Sequence, residues 1–553
     1  METFKIIYTV LGGLGIFFYG MKMMSDALQQ AASDVITNVI NSLTSNRILA
    51  VCVGMIVTMI VQSSSVTTVM VVGFVNAGLM QLTQAIGVIF GSNIGTTITG
   101  WIISIKVGKY GLLLVGLGIF PAIFSKNSKI QAAGKVLFGV GMVFMGLEYM
   151  SNAFKPLRSN QEFLEMISYF SEDTYMSYAA SILVGCLLTV IIQSSSAMLG
   201  ITIALAGTGI IGFNTAAALV LGENIGTTIT AILASVGTST NAKRAARAHA
   251  FFNIFGVVAV FSFLPLYLHF IEWLIPGEAN LIDLEGNRPN IAAHIAASHT
   301  VFNITSTIIF LPFLGLLAKF VTKITPDKEG KEEKHLVLVG DSSDILPATA
   351  IVQARSEARK MKEIVDRMQL MTKEHLASPG PKKLAKVNDY ERITDNIQKE
   401  VTVFLCKVME RPMSEHQSIE SQSIIKIVDE LESIADYLDR IANYKERFKE
   451  KGLDGESEKE FNVFMDEVWN FFQLCTRGLM TNSYHNLEEA FNKSEELRLW
   501  ADDMRDKHID RISKGEYNPL TALTYSDMVV ALRKIRAHAM NIAEAVSMSK
   551  KKD

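Results

Sequence analysis

The sequence predicts an all-α protein in two solvent regimes: a polytopic membrane part made of two internal repeats with broken or re-entrant helices, and a water-soluble bundle of six long helices. Three observations predict it. Charge is segregated along the 553 residues: up to Ala318 there are 14 Lys/Arg and 13 Asp/Glu, and the rest hold 38 and 42. That is about 8% charged against about 34%, where soluble chains average about 25%. Two polar motifs, QSSS at 62–65 and GSNIGTTIT at 91–99, recur as QSSS at 193–196 and GENIGTTIT at 222–230, both at an offset of 131. Beyond residue 345 the chain is amphipathic with helical period, broken near 377–381, 411–415, 451–457, 482–485 and 514–519.

The elements follow in order. IIYTVLGGLGIFFYG near the N-terminus lacks the basic flank and small-residue cleavage site of a signal peptide and reads as a retained transmembrane helix. No charge occurs between Arg47 and Lys106, and only Glu223 between Asp173 and Lys243. Runs this long can cross a hydrocarbon core of about 30 Å more than once. Similarity between the halves extends upstream, VGMIVTMIVQSSS (53–65) against VGCLLTVIIQSSS (184–196), and to the start of each, GGLGIFFYGMKMMSDA (12–27) against FGVGMVFMGLEYMSNA (138–153). This gives a membrane domain over 1–322, with repeats at about 1–130 and 131–260 and an extra apolar segment at about 291–320. A linker spans 323–344 and the bundle 345–549. The basic stretch NAKRAARAHA (241–250) reads as a cytoplasmic loop and the acidic stretch 272–290 as external, which delivers the bundle to the cytoplasm. Cys52, Cys186, Cys406 and Cys475 have neither disulfide-framework nor zinc spacing.

Inside a bilayer an unsatisfied polar group costs several kcal/mol. A single Ser or Thr escapes by bonding back to its own helix. Four consecutive polar residues, Gln62–Ser65 or Gln193–Ser196, point about 100° apart in turn and make sense where the helix breaks. Gly91 and Gly95, with Gly222 and Gly226, suit hairpin tips at which new helices begin. Helix N-termini bind anions without basic side chains. Amide and hydroxyl oxygens suit sodium in broken-helix transporters. With no basic residue near the motifs, a multivalent anion needs co-bound cations, so these observations predict a cation-coupled anion symporter. Glu223, opposite Ser92 of the first repeat, ligates sodium or carries a proton, or else lies near the membrane surface. His294 and His299 read as packed or interfacial, with a proton-linked role as the alternative.

The duplicated QSSS with GSNIGTTIT and GENIGTTIT resembles the type II sodium-dependent phosphate cotransporter family, over about residues 1–320. The resemblance implies sodium-driven movement of inorganic phosphate, an inverted repeat, and a transport domain moving against a scaffold. Carried onto this chain, it implies a phosphate site of Gln62, Ser63, Ser64, Ser65, Asn93, Thr96, Thr97, Gln193, Ser194, Ser195, Ser196, Asn224, Thr227 and Thr228. Sodium would be held by Gln62, Ser65, Thr99, Gln193, Ser196, Glu223 and Thr230.

The soluble part resembles PhoU, a phosphate-signalling bundle of two three-helix repeats, through YERITDNI (390–397) and ELESIADYLDRI (430–441). Their ExxxD pairs, Glu391/Asp395 and Glu432/Asp436, each lie on one helix face and are candidate ligands for a divalent or trivalent metal. The last helix has Ala537 and His538 where an acid is expected. The expectation is therefore a multi-pass cell-membrane symporter with phosphate and sodium as substrates and the bilayer as solvent. Its cytoplasmic bundle would serve a regulatory partner, and a homo-oligomer is compatible; nothing points to nucleic acid. The rivals are a phosphate sensor, an exporter, and a carrier of another oxyanion. No nucleophile–base pair, HExxH or Walker-type loop supports an enzyme.

Overall fold

The computed structural model describes residues 2–32, 46–76, 78, 80–105, 110–171, 173–236, 238–284, 287–326, 347–411, 413–448, 455–481, 487–515 and 517–548. Their regular secondary structure is helix, with no strand among them, so the all-α class stands. They form two compact units, described separately.

The first unit opens with α1 (Glu2–Ala31), α2 (Arg47–Val61), α3 (Ser64–Asn76), α4 (Leu82–Ser104), α5 (Gly111–Phe124) and α6 (Ser128–Phe154). After a 3-10 turn at Lys155–Ser159 come α7 (Gln161–Ser171), α8 (Tyr175–Ile192), α9 (Ser195–Gly207), α10 (Phe213–Gly226) and α11 (Thr228–Ala234). It ends with α12 (Thr240–Ser262), α13 (Leu264–Leu274), α14 (Ile291–Phe310) and α15 (Leu314–Ile324). Among the described residues six spans are long and apolar enough to cross a membrane, or seven if α14 and α15, bent by 83°, count as one. α2, α3 and α9 are apolar but too short. At 1.5 Å per residue the 13 residues of α9 reach about 20 Å, well short of the core.

α2 with α3, and α8 with α9, form hairpins that enter the unit and return. In the second hairpin, Asn214 at the start of α10 donates to Asp173 just before α8 (2.9 Å). Gly207, at the end of α9, accepts from Arg288 N (3.1 Å), whose Nη1 donates to Ile211 O (2.7 Å). Both ends of the hairpin therefore lie on one side. In the first, Asn76 at the end of α3 accepts from Ser239 N (2.8 Å), just before α12, while Tyr175 of α8 stacks edge-on with Phe261 at the other end of α12 (5.5 Å).

Two expectations change here. The basic stretch 241–250 is the first half of α12 rather than a loop: Ser239 caps it by accepting from Ala242 N. Arg244 is buried, its Nε donating to Thr325 O (3.0 Å), and Arg247 donates to Ile324 O (3.1 Å). The carbonyl-rich C-terminus of α15 satisfies cations that a loop would have given to water. The segment at 291–320 is two helices, and its arrangement repeats that of α12 and α13, each a long helix followed by one of 11 residues.

The second unit holds α16 (Pro347–Ala377), α17 (Pro381–Met409), α18 (Glu415–Lys445), α19 (Gly455–Thr481), α20 (Leu487–Ser513) and α21 (Pro519–Met548). Local chemistry sets the boundaries: Pro381 opens α17 after Gly380, and Ser414 with Gln417 forms a capping box on α18. Val365, Val401, Leu431, Phe472, Leu497 and Ile542 are among the side chains buried in its core. The expected linker beyond residue 326, residues 451–454 of the third expected break and the fourth break at 482–485 lie outside the described residues.

Candidate transport site

Gln62 and Gln193 terminate α2 and α8 in the left-handed conformation, at φ 58° and 56°. Among the described residues they are the only non-glycine residues at positive φ. Each backbone N–H closes a bond of 2.7 Å, to Thr58 O and Thr189 O. The chain then reverses and α3 and α9 begin at Ser64 and Ser195. Ser63 Oγ accepts from Val66 N (3.3 Å) and Ser194 Oγ from Ala197 N (3.3 Å). That leaves the first-turn N–H groups and hydroxyls of Ser64, Ser65, Ser195 and Ser196 without hydrogen bonds among the described residues. The QSSS elements are thus the breaks that the sequence requires, with positive helix ends inside the apolar unit.

The second motif behaves differently. GSNIGTTIT lies inside the unbroken α4, and GENIGTTIT runs from α10 to α11 within one span, Phe213–Ala234. Its glycines are therefore not hairpin tips. A Cβ on Gly95 would lie 2.6 Å from Met55 O, and one on Gly226 2.5 Å from Cys186 O. Gly91 faces Val51 O and Gly222 faces Ile182 O more closely still. These glycines let α4 cross α2, and α10 cross α8, with backbones in contact, as small residues do between membrane helices.

Most hydroxyls of this motif bond back to their own helix: Thr96 to Ser92 O (3.1 Å), Thr97 to Ile94 O (2.8 Å), Thr227 to Glu223 O (2.8 Å), Thr228 to Ile225 O (2.7 Å) and Thr230 to Thr227 O (2.9 Å). A hydroxyl whose proton is engaged presents lone pairs outward. Such oxygens suit a cation, whereas an anion needs donors. The structure thus sorts the expected residues chemically: free donors gather at QSSS, and acceptors along α4, α10 and α11.

The halves are not equivalent. In the first, Gln62 is buried, its Oε1 accepting from Thr99 (3.1 Å) and its Nε2 donating to Met59 O (2.5 Å). Thr58 bonds both Thr67 and Ser92 at 3.0 Å. Asn93 donates to Asn253 Oδ1 (3.2 Å) and meets His249 Nε2 (3.3 Å). In the second, Gln193 is exposed, and Glu223, 2% exposed, accepts from Thr202 (2.8 Å). Asn224 donates to Val220 O (2.8 Å) and accepts from Asn303 Nδ2 (3.2 Å). Glu223 is therefore enclosed by the protein rather than open to solvent. His294 and His299 are buried in α14, with His294 Nδ1 beside Asn290 O (2.9 Å).

Sequence reasoning missed Thr58, Thr202, His249, Asn253 and Asn303. One signal was available: HAFFN (249–253) and HTVFN (299–303) repeat a His-x3-Asn spacing. Thr58 also aligns with Thr189 at the motif offset.

In the second unit the four carboxylates do not fit a resident metal. Among the described residues no three His, Cys, Asp or Glu side chains gather as ligands. Lys399 holds Asp395 (2.7 Å) and Arg440 lies 3.7 Å from Asp436, so a cation on the next turn engages each aspartate. Partial burial pushes the Glu391, Glu432, Asp436 and Asp439 carboxyls up, and neighbouring carboxylates add to it. His538 pairs with Glu430 (2.6 Å), to which Asn541 also donates (2.9 Å).

The Na+/Pi-cotransporter family profile matches residues 16–152 and 162–270, and the PhoU domain profile residues 358–444. A Bacillus subtilis protein named only as uncharacterized protein YqeW is 32% identical over 314 residues, 56% of this chain and 96% of its own. The chain belongs to the Na+/Pi-cotransporter family and carries a PhoU domain. YjbB of Salmonella typhimurium, whose name assigns it provisionally to inorganic phosphate export, is 22% identical over 97% of this chain and 96% of its own. Sodium-dependent phosphate transport protein 2A of Rattus norvegicus is 38% identical over 98 residues, 17% of this chain and 15% of its own. No solved structure matches.

Proposed function

We propose that this family member is a sodium-coupled secondary transporter of inorganic phosphate, with inverted repeats and a cytoplasmic PhoU unit that regulates it. The observation that carries the reading is the pair of left-handed glutamines. A non-glycine residue held there costs about 1–2 kcal/mol, and such strain collects at functional sites. The geometry behind them supports the division of labour: donor groups at Ser63–Ser65 and Ser194–Ser196 for phosphate, and oxygens of Gln62, Thr99, Glu223 and Thr230 for sodium.

Inversion is supported by how equivalent helices meet. α1 and α6 pack antiparallel, with Gly13 against Gly146 O (2.9 Å to a built Cβ) and Gly20 against Gly139 O (2.7 Å). Gly13 corresponds to Gly139, and Gly20 to Gly146, at the offset of 126 between the two segments. Exchanging the halves turns each contact into the other, as a two-fold axis between the helices requires. The hairpins opening at opposite ends of α12 are consistent with that axis lying in the membrane plane. The basic cluster Lys243, Arg244 and Arg247 favours the cytoplasm for the α15 end, from which the chain continues to the PhoU unit.

Export is a second reading, favoured by the near-complete overlap with YjbB against the 98 residues shared with the sodium-dependent protein. Two sodium ions with divalent phosphate move no net charge, and a third would add about 2.3 kcal/mol of inward drive per 100 mV. The test is radiolabelled phosphate flux in proteoliposomes of defined orientation, with sodium, potassium or protons as the sole gradient and sulfate as competitor. Sodium-dependent flux that sulfate leaves untouched is expected. Flux indifferent to sodium would refute the coupling, and a purely outward preference would establish export. No flux, with residues 1–325 also inactive, would favour the sensor.

A further inference from the structure

α12 and α14 occupy equivalent places. His249 and Asn253 on α12 recur as His299 and Asn303 on α14, each pair fifty residues apart. Each asparagine donates to the carbonyl of the histidine one turn back, Asn253 at 3.0 Å and Asn303 at 2.9 Å. Asn253 meets Asn93 of the first motif copy, and Asn303 meets Asn224 of the second. The last helices are therefore part of the duplicated site.

The two contacts differ in one respect. In the first half Asn93 Nδ2 donates to Asn253 Oδ1, and His249 faces Asn93 Oδ1, so both amide oxygens have partners. In the second, Asn224 turns its Nδ2 to Val220 O, and Asn303 supplies the bridging donor. Asn303 Oδ1 is left buried with no partner. Flipping that amide would not help, because Nδ2 already donates to two oxygens, Asn224 Oδ1 and His299 O. One turn on, Thr307 Oγ1 is also buried and unpartnered, and one turn back so is His299 Nδ1. Asn303 is fully buried, and His299 and Thr307 are 4% exposed. A stripe of α14 thus presents unsatisfied atoms beside Asn224, whose neighbour Glu223 is the one acidic residue of that apolar run.

A buried oxygen without a donor suits a hard cation, which oxygen ligands bind without a proton. We propose that Asn303 Oδ1 and Thr307 Oγ1 of α14 are oxygen ligands of a sodium-sized cation held beside Asn224 in the second half alone. In the first half the matching Asn253 Oδ1 has a protein donor and Val257 stands in the place of Thr307, so Asn253 only holds Asn93 in place. This rests on the sodium-coupled reading and adds a helix that no motif marks.

The test is equilibrium binding of radioactive sodium to the purified full-length chain without phosphate, alongside sodium-dependent uptake in proteoliposomes. Asn303→Leu and Thr307→Val are expected to raise the sodium half-saturation at least about tenfold, the range over which metal-site partners act. Asn303→Asp, which keeps the oxygen, should retain or tighten binding. Asn253→Leu, which takes the acceptor from Asn93 Nδ2, should cost less sodium affinity than Asn303→Leu. Wild-type affinity in both Asn303→Leu and Thr307→Val overturns the proposal, as does an equal loss in Asn253→Leu. If Asn303→Leu does not reach the membrane, Asn303→Asp and Thr307→Val decide it alone. A wild-type chain that binds no sodium refutes the transport reading as well, which separates the two failures.

Discussion

Replacing Gln193 with glycine separates the backbone role of the break from the role of its side chain. At φ 56° the glutamine carries about 1–2 kcal/mol of left-handed strain that glycine lacks. Glycine costs about 0.5–1 kcal/mol more chain entropy on folding. Gln193 is exposed and makes no side-chain hydrogen bond among the described residues, so Gln193→Gly should change stability by about 0 to +1.5 kcal/mol. Gln62→Gly gains the same relief but loses two bonds of a side chain only 6% exposed, each worth about 0.5–1.5 kcal/mol. For the bond to Thr99 the cost rises to about 1–3 kcal/mol, because that hydroxyl stays buried without its partner, so against the relief a net loss of roughly 1–3 kcal/mol is expected. Both variants should lose phosphate flux if the amides touch the solute. The assay is melting of the detergent-purified protein by tryptophan fluorescence, with sodium-dependent uptake on the same preparations. Gln193→Gly melting as low as Gln62→Gly would refute the strain argument, and wild-type uptake by Gln193→Gly would remove that side chain from the site.

Gly226→Ala places a methyl 2.5 Å from Cys186 O and 2.7 Å from Thr189 Cβ, so α8 and α10 must part by about 0.7 Å. A loss of about 1–3 kcal/mol is expected, read as reduced melting temperature and membrane yield. Glu223→Gln keeps the Thr202 contact but removes the charge, and should weaken sodium half-saturation while leaving abundance unchanged; an unmoved value would take Glu223 out of the site. In the PhoU unit, Glu391, Glu432, Asp436 and Asp439 bind protons more tightly folded than unfolded. Their contribution to stability is therefore largest in acid and is lost as pH rises from about 4 through their raised values. Asp436→Asn should flatten that slope in pH-resolved melting.

Much of the fold was legible because the forces that set it are local or periodic. Charge segregation marks the membrane unit, since lipid excludes charge over any 20-residue stretch. The starts of α17 at Pro381 and α18 at Ser414 are written in capping residues. The QSSS breaks were legible for a related reason: four polar side chains in lipid have few alternatives. GSNIGTTIT misled for the opposite reason. Glycine beside asparagine marks a tip or a close helix crossing equally well, and only the position of α2 against Gly91 and Gly95 distinguishes them. NAKRAARAHA misled because its cations are satisfied by carbonyls of Ile324 and Thr325, nearly 80 residues away.

By itself the sequence determined that this protein is a duplicated helical membrane unit joined to a helical bundle, with paired polar breaks inside apolar runs. Hydrophobicity, helical period and an internal offset survive in one dimension. Tertiary structure alone decided which oxygens are free. Gln62 is sealed and Gln193 is open, Asn253 has its donor and Asn303 lacks one, although each pair is the same residue in the same local pattern. Whether a polar atom is satisfied depends on what packs across from it, and no local sequence pattern carries that.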